Sequence, residues 1–153
     1  MIVGIGCDHA GLAMKEEMLA LFKDLGFKYK DYGTFTKDSV DYPDFGLKVS
    51  EAVSKGEVDR GLLICGTGIG MSIVANKFTG VRAALCHEPY SAKMSRLHND
   101  ANILVLGGRV IGKGLAREIA MVWFTTEFEG GRHISRIDKI KEIEGNRCLK
   151  VKE

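Results

Sequence analysis

Several features are scarce or missing in this chain of 153 residues, and each absence removes a class of function. No apolar run approaches the length of a bilayer-spanning helix. The four cysteines, Cys7, Cys65, Cys86 and Cys148, are widely spaced with no CxxC pair, so neither a disulfide framework nor a zinc knot is indicated and reduced thiols are expected. Neither sign of charge predominates: 22 Lys and Arg face 20 Asp and Glu, a net charge of +2. No block of like charge forms locally, which argues against a nucleic-acid surface and leaves neutral partners or small anions. Proline occurs twice, and no repeat, linker or low-complexity segment interrupts the chain. Met1-Ile-Val-Gly-Ile-Gly6 carries no charged leader or small-residue cleavage site, so a cytoplasmic protein is expected. The glycine-rich stretch fits neither GxxxxGK[ST] nor GxGxxG, which sets aside a nucleotide P-loop and a dinucleotide fingerprint.

What is present reads as one α/β domain over residues 1–153, since 45% hydrophobic content at this length supports one full core. Ile2–Cys7 is a short buried strand, followed by a helix with Met14, Met18, Phe22 and Leu25 on one stripe and Gly26 at its end. Phe27-Lys-Tyr-Lys30 alternates as an edge strand with one wet face, guarded by lysines. Asp41-Tyr-Pro43 opens a helix with Phe45, Val49 and Val53 inward. Val81–Cys86 predicts a fourth strand, Glu88-Pro89 a helix ending near Asn99, and Asn102–Leu106 a fifth strand. Gly107-Gly108-Arg109 then leads to a helix bearing Leu115, Ile119, Val122 and Trp123, and Gly130-Gly131 separates it from a C-terminal helix over about 132–146. Strands alternating with helices at short connections give a five-stranded parallel sheet, doubly wound in a Rossmann or flavodoxin-like three-layer αβα arrangement.

The stretch Gly61-Leu-Leu-Ile-Cys65-Gly-Thr67-Gly68-Ile69-Gly70 joins a strand buried on both faces to a turn whose glycines expose backbone amides at a helix start. Cys65 stands at that threshold. Either it is a small buried hydrophobe, or the helix field lowers its pKa and makes it a nucleophile or base. Ligands in such sheets bind beyond the carboxyl ends of the strands. Asp8-His9, Cys65–Gly70 and Gly107–Arg109 all follow strands, so one cleft gathers an acid, an imidazole, a thiol, an amide nest and a guanidinium. His98 and Asn99 end a returning helix and belong to the opposite edge, so His98 is either a surface histidine or one supplied to the cleft by a second subunit. Arg132 and Arg136 share a helix face that either grips an anion or pairs with acids in solvent.

Gly6-Cys-Asp8-His9-Ala-Gly11, Asp41-Tyr-Pro43, Leu63-Ile-Cys65-Gly-Thr67-Gly-Ile-Gly70, Asn76-Lys-Phe78, Glu88-Pro-Tyr-Ser-Ala92, His98-Asn99-Asp100, Gly108-Arg109 and Glu129-Gly-Gly-Arg132-His133 occur in that order. With these motifs the chain resembles the RpiB/LacAB family of sugar-phosphate isomerases nearly end to end. The resemblance implies interconversion of ribose 5-phosphate and ribulose 5-phosphate through an enediol, a step of the pentose phosphate pathway. Allose 6-phosphate or galactose 6-phosphate are the alternatives within the family. It further implies Cys65 as the base at C2, Thr67 assisting proton return, and the amides of Gly66, Thr67, Gly68, Ile69 and Gly70 holding the enediolate. His98 from a partner subunit would open the sugar ring beside Asn99. Arg132, Arg136 and His9 would hold the phosphate, with Asp8 and Arg109 completing the substrate contacts. No metal or organic cofactor is implied, and the assembly would be a homodimer with shared sites, with a tetramer as a further option. Two other classes remain open on residues alone: a flavodoxin-like module holding a nucleotide or flavin, and a zinc enzyme using Cys7, His9, Cys65, Cys86 and His87.

Overall fold

The computed structural model describes residues 1–150, with side chains to residue 146. Cys148 lies outside the described side chains. The chain alternates β1 (Ile2–Cys7), α1 (Leu12–Asp24), β2 (Lys28–Asp31), α2 (Tyr42–Ser54), β3 (Arg60–Cys65) and α3 (Ile69–Ala75). It continues through β4 (Ala83–Leu85), α4 (Pro89–Asn99), β5 (Ile103–Gly107), α5 (Lys113–Thr125) and α6 (Ile134–Lys150). All strand pairs are parallel, in the order β2-β1-β3-β5-β4. α1, α4 and α5 pack together on one face and α2 with α3 on the other. The expected doubly wound sheet is therefore present.

β3 lies at the centre because both its faces are apolar: Leu62, Leu63 and Ile64 are wholly buried. Beneath α1 and α5 the core is aromatic, with Phe124 edge-on to Phe22 at 5.1 Å and to Trp123 at 4.8 Å. On the other face α2 rides close to the sheet because β1 and β3 present glycines. A methyl group at Gly6 or Gly61 would come within 2.9 Å of Val49. These two layers fix where each strand ends, and hence where its following loop stands.

Four details differ from the sequence reading. β4 covers only Ala83–Leu85, because Arg82 turns its guanidinium onto the Asn99 and Asp100 carbonyls and its own carbonyl onto Asn102, closing a corner instead of extending the strand. β2 is an edge strand as expected, but Lys28, Tyr29 and Lys30 are all exposed, so both its faces are wet there. On α5, Leu115 faces outward while Ala116, Ile119 and Trp123 form the buried stripe. The C-terminal helix expected over 132–146 begins at Ile134 and runs to Lys150. A 3-10 turn over Gly131–His133 precedes it, with Gly130 at φ 71° and Gly131 at φ 55° turning the chain.

Candidate active site

The turn after β3 is held by its neighbours. The Asp8 amide donates to the Ile64 carbonyl, the Gly108 amide to the Cys65 carbonyl at 2.8 Å, and the Arg109 amide to the Gly66 carbonyl at 2.9 Å. Contact is so close that a methyl on Gly107 would sit 2.8 Å from the Thr67 carbonyl oxygen, and one on Gly108 2.7 Å from that of Ala10. The three loops that the sequence reading placed at one edge therefore meet there.

Cys65 is buried, with 4% of its surface exposed, and its Sγ receives the Gly68 amide at 3.2 Å. The left-handed conformation of Gly68, at φ 80°, aims that amide back at the sulfur, and any side chain there would strike Leu85. Thr67 is exposed, and its Oγ1 accepts the Ile69 amide at 3.3 Å. A methyl on Gly70 would lie 2.5 Å from the Tyr42 ring, which closes over it. Asp8 is buried and its Oδ1 accepts the amides of Ala10 and Gly11 at 2.9 and 3.1 Å, so the carboxylate also shapes its own loop. His9 Nδ1 accepts the Val40 amide at 3.2 Å, which leaves Nε2 as the proton-bearing nitrogen. Arg109 is exposed and its side chain lies over Gly66, within 3.7 Å of where a methyl there would stand.

The other candidates stand at the amino edge. His98 and Asn99 close α4, whose Leu97 carbonyl accepts the Glu129 amide, and Arg132 and Arg136 follow α5 nearby. His98 stacks on His133 with ring centroids 4.3 Å apart and planes 13° from parallel. Both Nε2 atoms face one oxygen of Glu129, at 3.7 Å from His98 and 3.6 Å from His133. His133 Nδ1 faces the Arg136 guanidinium at 3.5 Å. Burial, followed by the positive charges of His98 and Arg132, pushes the His133 pKa down. Sequence reading missed His133 as a site residue, although the i,i+4 spacing from Glu129 and the adjacent Arg132 signal it. Tyr42 was likewise read as part of a helix start only.

The structure thus divides the expected residues into two sets. Asp8, His9, Cys65–Gly70 and Arg109 gather at the carboxyl edge, while His98, Asn99, Arg132 and Arg136 gather at the amino edge of the same chain. Among the described residues the zinc alternative finds no ground, since Cys7, His9, Cys65, Cys86 and His87 form no metal-like group. His98, Glu129 and His133 do bring three ligand atoms within 4.8 Å of one another. The Arg136 guanidinium, 3.5 Å from His133 Nδ1, sets a positive charge beside this group, however. A cation is poorly served there.

A profile of the ribose/galactose isomerase family matches residues 3–140. The chain belongs to this family. Ribose-5-phosphate isomerase B of Escherichia coli is 48% identical over 145 residues, covering 95% of this chain and 97% of its own. The D-erythrulose-4-phosphate isomerase of Pectobacterium atrosepticum is 42% identical over 139 residues, covering 90% and 91%. The solved structure of ribose-5-phosphate isomerase B from Clostridium thermocellum matches with a TM-score of 0.94 at 56% identity, covering 96% of this chain and 99% of that one. Family membership agrees with the resemblance carried by the sequence motifs. Substrates differ among proteins this similar, so the family name alone leaves the phosphosugar open. No described helix is long and apolar enough to cross a membrane.

Proposed function

We propose that the chain is an aldose–ketose isomerase interconverting D-ribose 5-phosphate and D-ribulose 5-phosphate, acting as a homodimer whose sites each use both protomers. The observation that carries this reading is the division of the site: thiol and amide nest at one edge, imidazole and arginine pair at the other. On this reading the tasks divide: the thiol and amide nest at one edge take the carbon-bound proton and hold the enediolate, and the imidazole and arginine pair at the other open the ring and hold the phosphate. In a two-fold dimer each protomer offers its amino edge to the partner's carboxyl edge, producing two equivalent composite sites. Ile69 and Ile73 of α3, 53% and 56% exposed, form an apolar face beside the nest of the kind that subunits cover.

In the open-chain aldose, Cys65 Sγ takes the proton from C2, the electron pair forms the C1–C2 double bond, and negative charge moves onto O1. Of the five amides in the turn, that of Gly68 is committed to Sγ and that of Ile69 to Thr67. The enediolate donors are therefore Gly66, Thr67 and Gly70, each worth on the order of 3 kcal/mol when such a donor is lost. Thr67 assists return of the proton to C1, and transfer of the O2 proton to O1 completes the ketose. The partner's His98 opens the ring beforehand with Asn99 beside it. His9 Nε2, Arg132 and Arg136 anchor the phosphate, and Asp8 and Arg109 orient the sugar.

Replacing the base tests the chemistry. C65A is expected to fold and bind phosphosugar while losing about 10²–10⁴-fold in hydrogen exchange at C2, read by NMR in deuterated solvent. Undiminished exchange removes the role given to the thiol. A panel of four-, five- and six-carbon aldose phosphates compared by kcat/KM tests the substrate. A clear preference for another length would reassign the sugar and leave the proton chemistry intact.

A further inference from the structure

Glu129 belongs to none of the roles above, yet its carboxylate lies within ionic reach of both amino-edge imidazoles. We infer that Glu129 is a positioning residue for ring opening: it fixes the tautomer and orientation of His98, with the stacked His133 ring as the backing plate. The inference rests on the reading of His98 as the ring-opening group.

The geometry is specific. A guanidinium carries only donors, so the nitrogen of His133 beside Arg136, Nδ1, is an acceptor and the His133 proton sits on Nε2, toward Glu129. That Nε2 is buried and, among the described residues, is the one buried side-chain polar atom without a hydrogen-bond partner. At 3.6 Å the carboxylate is within ionic reach but too far for a direct hydrogen bond. A small inward movement of Glu129, which is exposed, satisfies the orphaned donor and brings the carboxylate against His98 Nε2 as well. Such contacts are often long before substrate arrives.

A carboxylate facing His98 Nε2 favours the tautomer with its proton on that nitrogen, leaving Nδ1 to exchange a proton with the sugar. The ring is held in plane by its stack on His133. An orienting carboxylate behind a catalytic imidazole is an arrangement known to matter far more than its distance from substrate suggests.

The test uses a difference between the two substrates. Ribose 5-phosphate is mostly a closed furanose, whereas ribulose 5-phosphate has its O5 esterified and cannot form that ring. A ring-opening defect therefore slows turnover of the aldose while sparing solvent hydrogen exchange at C1 of the ketose. E129Q, which keeps the shape and removes the charge, is expected to lose about tenfold in kcat/KM for ribose 5-phosphate and less than about twofold in C1 exchange from ribulose 5-phosphate. E129D, which restores the charge on a shorter arm, is expected to recover part of the loss. Equal losses from both substrates, or none from either, overturn the inference. Absence of interconversion by the unmodified protein would instead overturn the isomerase reading itself, so the two failures are told apart.

Discussion

At the scale of single residues, two cysteines differ in what meets the sulfur. Cys65 and Cys7 both end a buried strand, in neighbouring loops of one sheet. Cys7, however, is wholly enclosed, and its Sγ donates only weakly to the Thr34 carbonyl, at 4.0 Å. Burial pushes the Cys7 thiol up to about 11, while Cys65 receives an amide donor. The sign of the pH effect follows. A folded-state pKa raised above the usual 9.0 favours the folded state below that value, and the favour is lost as pH climbs from 9.0 toward about 11. Thermal melts taken across that window are expected to show a falling Tm, less steep in C7A. In native protein at pH 8, mass spectrometry after brief iodoacetamide treatment is expected to find Cys7 and Cys86 unlabelled, since burial raises both thiols. Modification of Cys7 without unfolding would contradict the enclosure.

At the scale of elements, α2 stands where it does because the strands beneath it lack side chains. Val49 reaches over Gly6 and Gly61, and Ile103 closes on Gly61 from the next strand at 3.0 Å from where a methyl would be. G61A is therefore expected to cost about 1–3 kcal/mol in urea unfolding through overpacking. V49A alone leaves a cavity and also destabilises, by about 0.5–3 kcal/mol. The double variant is expected to be more stable than the sum of the two losses, because the added methyl fills the removed one. Simple additivity would show that the two sites do not share the space the packing assigns them.

Elements of this kind were legible in the chain because each carries its own local signal. The β2 lysines, the Met14–Met18–Phe22 stripe and the helix starts at Pro43 and Pro89 all announce their structures. Cys65 at a strand end followed by three glycines was legible as a turn with exposed amides for the same reason. Long-range features were not. Nothing local says that β5 inserts between β3 and β4, that Arg82 closes a corner and shortens β4, or that Tyr42 closes over Gly70. Likewise, His98 and His133 are separated by a whole strand and helix, so their stack is a product of tertiary packing alone. The amino-edge position of His98 was legible only through topology, since a helix returning from a parallel strand must end there.

At the scale of the whole molecule, that topology makes a quantitative prediction. If each site takes Cys65 from one protomer and His98 from the other, then H98N and C65A are each inactive as pure dimers, every site lacking one group. Mixing them in equal amounts with subunit exchange gives about half heterodimers by random pairing. In a heterodimer one site combines the intact Cys65 of the H98N chain with the intact His98 of the C65A chain, and the other site lacks both. One working site in half of the dimers amounts to about a quarter of unmodified activity. If both groups acted within one chain, the mixture would stay inactive however completely it exchanged. Native mass spectrometry of the mixture, which separates the three dimers by mass, makes the comparison decisive. Heterodimers formed without recovered activity would place thiol and imidazole on the same chain's business and dissolve the composite site. Recovery scaling with the heterodimer fraction would tie catalysis to assembly, so that dilution below the dimer dissociation constant abolishes turnover without unfolding the sheet.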